Sequence, residues 1–473
     1  MNGTNGNGTN GNATAGNGTA GNGSGPAGRL RREDLRSLFA PPAAGAELVG
    51  LEVENGVVDP ETGRAARYGG PGGIEEVLRT VLEEWGGERL ADAGRLTGVA
   101  LPDGARVTLE HGGQLEYSSV PLPGLAAAVD GTREVLERLA ELVGRFGLAL
   151  LPGAQLPFDR VDAMEWVPMV RGAVMRDYFR RLGAAGSGAT RVMALSLSAQ
   201  VHLDYLSERD FTEKLRMQMA ASSTVTALFV NSPLDNGRSN GLLSHRSRDW
   251  LRMDPDRCGI MPPALRDGVD ADAVIDWALG LPMIYHRGPD GGYRPAPARP
   301  FGTILREGFD DGGFPQYGDW VSHMSQTWTA VRARRTLELR AGDGPPYRHF
   351  AAVPALWVGL SYHPPSRAAA WELLRSYSAA DHRAAMAALP SEGLRTLLGG
   401  DRVHDLAAEL VRLARAGLSA RVGDGLEPPK VLDYLDPLDE LLHTRKTFAE
   451  QCADRWATDL RHEPRRYVAE FRV

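Results

Sequence analysis

The side chains able to do chemistry here are acids at even spacing. Glu52 and Glu54 stand two residues apart in Leu48-Val49-Gly50-Leu51-Glu52-Val53-Glu54, whose alternation predicts a strand with both carboxylates on one face. Glu110 closes Val107-Thr108-Leu109-Glu110, and Glu116 is at an even offset from Gln114 and Ser118; Gly112-Gly113 between the two segments predicts a hairpin. Ala194 to Tyr205 predicts a further strand presenting Ser196, Ser198, Gln200, His202 and Asp204 together. Arg334 to Arg340 completes the set, with Arg334, Thr336, Glu338 and Arg340 on one face. Carboxylates crowded on one sheet face repel each other unless cations sit among them. Their hard oxygens suit Mg²⁺ or Mn²⁺, ions that bridge nucleotide phosphates. Alternation alone favours a plainer reading, a solvated sheet face.

Helical periods over 74–85, 125–146 and 211–229 supply elements that could hold such a sheet, and 368–457 is mostly helical. The pattern predicts an α+β fold, an antiparallel sheet with helices packed on one side. Residues 1–28 are an Asn/Gly/Thr-rich tract with almost no large apolar side chain, which predicts a disordered tail. Residues 29–473 then read as one domain with a mostly helical C-terminal third.

A net charge of −7 over 473 residues argues against a nucleic-acid partner. Lys214, Lys430 and Lys446 are the only lysines, so cationic work falls to arginine, whose planar fork grips carboxylate or phosphate. Cys258 and Cys452 are too few for a disulfide framework, and neither lies in a Cys-x-x-Cys pair. No secretory signal opens the chain and no apolar run approaches ~20 residues, so a cytoplasmic protein without a membrane partner is expected.

The order of the motifs decides between the two readings of the carboxylates. Gly50-Leu51-Glu52-Val53-Glu54 resembles the Gly-x-Glu-x-Glu opening strand of the glutamate–cysteine ligase family, in its plant-type and proteobacterial branch. Leu109-Glu110-His111-Gly112-Gly113-Gln114-Leu115-Glu116 resembles its Leu-Glu-Pro-Gly-Gly-Gln-(Phe/Leu)-Glu hairpin, and Ala199 to Asp204 its Val-Gln-Val-Asn-Leu-Asp. The longest match, Phe229 to Pro262, holds Val230-Asn231-Ser232-Pro233, Asn240 to Ser247 and Asp254 to Gly259. Val331-Arg332 through Gly344 and Pro354 to Leu360 follow in the family's order.

That resemblance implies a glutamine synthetase/guanidino kinase-like catalytic fold, a curved antiparallel funnel lined by metal-binding glutamates. It implies ATP-dependent joining of the glutamate γ-carboxylate to cysteine through a γ-glutamyl phosphate, with Mg²⁺ (or Mn²⁺) assisting. On the family pattern Glu52, Glu54, Glu110, Glu116 and Glu338 are the metal ligands. Arg332 and Arg340 are expected to steady the transferring phosphoryl group, and Arg257 with Arg340 to bind nucleotide. Arg246 is expected to clamp the glutamate α-carboxylate, with Gln200, Ser198 and Arg171 as further substrate contacts. Small-molecule substrates and a monomer or homodimer complete the expectation.

One stretch departs from the pattern. Val167 to Gly172 aligns with Met-Pro-Lys-Gly-Arg-Tyr: Arg171 is retained, but Met169 and Gly172 replace the lysine and the tyrosine. The departure leaves room for a different amine acceptor. His202 stands where the family shows Asn and reads as a polar neighbour of Gln200 in preference to a substitute ligand, Cys258 as an inert thiol, and Trp250 and Trp320 as core residues. A guanidino-type phosphotransferase and an inactive binding homologue are the competing classes.

Overall fold

The computed structural model describes residues 29–42, 45–288 and 290–473. The tract 1–28 lies outside them. The first long alternating segment forms β1 (Val49–Val58), near the middle of a nine-stranded antiparallel sheet. Its companions are β2 (Glu88–Asp92), β3 (Arg95–Ala100), β4 (Arg106–Leu109), β5 (Leu115–Ser118), β6 (Ala149–Pro152), β7 (Ala199–Leu203), β8 (Val331–Ala333) and β9 (Leu337–Leu339). The order runs β8-β9-β7-β1-β5-β4-β3-β2, with β6 pairing the far end of β1.

The β4–β5 hairpin turns where the sequence predicts it. Gly113 takes φ +89°, a left-handed value that favours glycine, and a Cβ on Gly112 would lie 2.2 Å from the carbonyl oxygen of Ala194. Gln114 secures the same approach by donating to that oxygen at 2.6 Å.

Two predicted strands are shorter than expected. Residues 194–198 do not extend β7, because the apolar side chains of 192–195 are buried in a short helix, α4 (Ala189–Leu195). Ser196 and Ser198 therefore approach β7 from a loop. The segment from Arg334 to Arg340 is likewise not one strand: residues 334–336 make a turn, closed by Arg334 N–H donating to Thr336 O at 2.9 Å. Glu338 consequently pairs with Arg332 across the β8–β9 hairpin.

Helices cover the sheet face opposite the carboxylates. Leu51 and Val53 alternate with Glu52 and Glu54 and enter apolar clusters, Val53 with α1 (Ile74–Trp85) and α2 (Leu125–Gly144). Each such side chain, fully buried, stabilises the fold by about 1.5–3 kcal/mol. Leu51, Val201, Leu337 and Leu339 join the largest cluster. There they meet the helix Ala352–Ser361, which precedes the predicted helical stretch, and Val403–Gly423 from within it. The flanking helices used below are α3 (Val170–Arg181), α5 (Glu208–Leu228) and α6 (His245–Trp250). The α5 helix starts three residues before the predicted Phe211, capped by Ser207, whose hydroxyl accepts from Asp210 N–H at 3.1 Å. No helix among the described residues is long and apolar enough to cross a membrane.

Candidate active site

Strand register, rather than proximity in sequence, assembles the acidic groups. Across β1 and β5, Glu54 faces Glu116; across β1 and β7, Glu52 faces Gln200; across β7 and β9, His202 faces Glu338. Directly opposed residues of an antiparallel pair point to the same face. The result is two triads, Glu52–His202–Glu338 and Glu54–Glu110–Glu116, each offering three ligand atoms within 4.8 Å of one another. All five glutamates expected to bind metal are in these triads. His202, expected to be a polar neighbour of Gln200, instead completes the first one, its Nε2 3.1 Å from Glu52 Oε1.

The triads differ electrostatically. Burial opposes charge on Glu338, but Arg332, Arg340 and His202 outweigh it and hold the carboxyl well below its usual range. Burial likewise lowers His202, yet the Glu52 carboxylate more than compensates and the imidazole is raised. In the second triad the nearby arginines do not outweigh burial and mutual repulsion. Burial, then repulsion from Glu110, pushes Glu54 up to about 7 despite Arg246 and Arg340. Burial and the neighbouring carboxylates Glu52, Glu110 and Glu54 push Glu116 well above the usual range. Glu116 Oε1 accepts from Thr108 (3.1 Å) and Ser118 (3.2 Å), while Oε2 is buried with no partner. An orphaned carboxylate oxygen in a cluster short of positive charge is what a hard divalent cation would satisfy.

Beside the triads, Glu54, Glu110, Arg171, Ser198, Arg246 and Arg340 line one pocket with His111, Trp250 and Tyr285. Gln200 lies beneath it, donating to Glu54 Oε1 (3.1 Å) and Ser198 Oγ (2.8 Å) and accepting from Arg340 Nη1. Arg246 is held by Gly342 O (Nη1, 2.8 Å) and Ser196 Oγ (Nε, 3.2 Å). The segments leading into its helix α6 are fixed by Asp343, which accepts from Asn231 N–H and Ser232 Oγ at 2.8 Å and from Ser244 Oγ at 3.1 Å. Three motifs separated in sequence thus meet at one carboxylate, and Ser244 also caps α6. Trp250, expected to be core, lines the pocket with Arg246 and Arg340, each guanidinium carbon 5.9 Å from its ring centre. Trp320 is core, as expected.

Two arginines fall outside the pocket lining. Arg332 is buried behind Glu338 and gives its remaining donors to Ser325 O and Thr327 O, so it positions Glu338 and faces no open space. Burial lowers its guanidinium to about 10. Arg257, expected at the nucleotide, is locked by Asp254 (2.7 Å), Tyr178 (2.9 Å), Pro282 O (2.7 Å) and Gln326 O (3.3 Å). Its side chain has no exposed donor to offer. Met169 is also turned away, packed into the apolar cluster of α1 and β5, and is not among the residues lining the pocket. Cys258 is half-buried, and burial pushes its thiol up.

A second, more apolar cavity of about 240 Å³ adjoins the first and shares Arg246, Trp250, Trp328 and Arg340 with it.

Comparison with known proteins shows the family. The description of Glutamate-cysteine ligase family 2 (GCS2) matches residues 48–470. The chain is 30% identical over 426 residues to the chloroplastic glutamate–cysteine ligase of Brassica juncea, covering 89% of this chain and 80% of that protein. Against the Arabidopsis thaliana enzyme it is 30% identical over 427 residues, covering 89% and 79%. In fold it resembles a Francisella tularensis glutamate–cysteine ligase solved in complex with AMP (TM-score 0.54, 12% identity, covering 90% of this chain and 87% of that one). The opening strand, the Gly-Gly hairpin and the late Arg-Glu-Arg hairpin meet on one sheet face, and the match runs through all three: the chain belongs to glutamate–cysteine ligase family 2.

Proposed function

We propose that this protein joins the γ-carboxylate of glutamate to the amine of cysteine, converting ATP to ADP and phosphate. The observation that carries the reading is the pair of acidic triads that strand register and the β4–β5 hairpin bring together, next to a pocket that holds Arg246 and Arg340. The balance is that of an acid–amine ligase. A γ-carboxylate oxygen attacks the terminal phosphorus of ATP, the bond to ADP breaks, and an acyl phosphate forms. The amine nitrogen then attacks the acyl carbon, the carbon–oxygen bond to phosphate breaks, and the nitrogen loses its extra protons.

The residues divide the work. Glu52, His202 and Glu338 would hold one Mg²⁺ or Mn²⁺, and Glu54, Glu110 and Glu116 a second. Metal bound there would draw charge off phosphate oxygens and orient them for in-line transfer. Arg340, at the pocket edge beside Glu338, stabilises charge on the transferring phosphoryl group. Arg246 clamps the donor's α-carboxylate, and Ser198 and Arg171 contact substrate. A cytoplasmic location and a monomer or homodimer belong to the same proposal.

The test is incubation with ATP, Mg²⁺ and glutamate, with and without cysteine. Cysteine-dependent ADP release with a γ-glutamyl product is expected. Phosphorylation of a guanidine without amine would mean a phosphotransferase. Ligand binding without turnover would mean an inactive homologue.

A further inference from the structure

His111 lines the pocket at the position where the family pattern quoted above has proline, and it is 5% exposed. Its backbone is fixed: its carbonyl accepts from Val167 N–H at 3.0 Å, and the next amide, of Gly112, donates to Gln114 Oε1 at 3.1 Å. Its Nδ1 is buried without a partner, and so is Nη1 of Arg176, whose guanidinium lies over the Trp166 ring at 4.4 Å.

Both nitrogens converge on the space beside Gly172. A Cβ there would stand 2.7 Å from His111 Nδ1 and 3.5 Å from Arg176 Nη1. A tyrosine at 172 and an imidazole at 111 cannot share this volume, so the two departures from the family pattern are one exchange. Arg176 can only donate, which makes Nδ1, on that side, the accepting nitrogen of the ring. The hydrogen is then on Nε2, the other nitrogen of a ring that lines the pocket.

We propose that His111, given room by Gly172, is a specificity-determining residue that donates from Nε2 to the α-carboxylate of an amino-acid acceptor. The proposal rests on the ligase reading above and deepens it. Arg171 lines the same pocket as His111, so a fixed positive charge accompanies the imidazole where a carboxylate would bind. A donor positioned for a carboxylate discriminates against amines that lack one, because its buried polar group is then left unpaired.

The experiment compares the wild type with His111→Ala, His111→Gln and Gly172→Ala. The KM values for cysteine, 2-aminobutyrate and ethylamine are read from ADP release. Calorimetric Kd values for 2-aminobutyrate are measured with a non-hydrolysable ATP analogue and Mg²⁺. His111→Ala is expected to weaken both carboxylate-bearing acceptors by about tenfold or more, a loss of one charged hydrogen bond, with ethylamine, glutamate and ATP within about twofold. His111→Gln, which keeps a donor, recovers most of the loss. Gly172→Ala displaces the ring and follows His111→Ala. Equal weakening of ethylamine and 2-aminobutyrate, or unchanged 2-aminobutyrate Kd in His111→Ala, overturns the proposal. Because the calorimetry needs no turnover, that failure is distinct from absent amine-dependent ADP release in the wild type, which overturns the ligase reading.

Discussion

Arg332 grips Glu338 across the β8–β9 hairpin with two parallel hydrogen bonds, Nε to Oε2 at 2.8 Å and Nη2 to Oε1 at 2.7 Å, both side chains buried. Arg340 Nη1 also donates to Oε1. The clamp fixes the carboxylate that faces His202, and it makes Arg332 a positioning residue. Glu338→Gln should stop ADP release and also destabilise the protein by about 3–5 kcal/mol, since Arg332 would be left buried without its counter-charge. Denaturant melts alongside the assay check both halves. Lost turnover with unchanged stability would show that the clamp carries no structural load.

Metal and pH should be linked through the second triad. Glu54 is raised from 4.5 to about 7, by burial and then by Glu110. A carboxyl raised in the folded state contributes stability that is complete below its unfolded pKa and lost as pH rises through the folded one. Metal-free protein should therefore lose stability as pH rises from about 4.5 through about 7. Magnesium needs the ionised carboxylate, so the rise in Tm on adding it should be larger near pH 8 than near pH 6, about one unit either side of that value. An Mg²⁺ effect on Tm that is flat across this range would remove Glu54 from the ligand set.

Arg246 is pre-oriented by Gly342 O and Ser196 Oγ. Arg246→Lys should raise the glutamate KM by about 10–100-fold, the loss of a charged, forked contact worth ~1.5–3 kcal/mol, with the ATP KM little changed. Steady-state kinetics with each substrate varied distinguish the two. A normal glutamate KM with impaired ATP use would move Arg246 to the nucleotide.

Arg257 should behave as a fold residue. Its donors are spent on Asp254, Tyr178, Pro282 O and Gln326 O, so Arg257→Met should lower stability by about 3–5 kcal/mol through the unpaired Asp254. The ATP KM of whatever protein remains folded should be unchanged. A raised ATP KM at unchanged stability would restore the expected nucleotide role.

The sequence was most informative where period and chemistry coincide. A two-residue repeat forces Glu52 and Glu54 onto one face whatever the tertiary context, and Gly112-Gly113 can only turn, so the carboxylate set and the hairpin were legible from local rules. The order of motifs carried the family and the fold class. Local rules misjudged segments 194–198 and 334–336, because residues there are shaped by what they pack against: Ala194 by Gly112, and the turn by the pairing of Arg332 with Glu338.

Partnership needed the tertiary structure. Nothing in the spacing of Glu52, His202 and Glu338 says that they share one triad while Glu54, Glu110 and Glu116 form another; strand register decides it, and register is set by long-range pairing. Nor does sequence tell a pocket arginine from a buried one. Arg246, Arg257, Arg332 and Arg340 all sit in family motifs, and only packing shows that two face the pocket while two spend their donors on the protein itself. Residue types and spacing determined the chemistry this chain could perform, and the pairing of distant strands determined which groups meet, because side-chain contacts across a sheet depend on register that no single strand encodes.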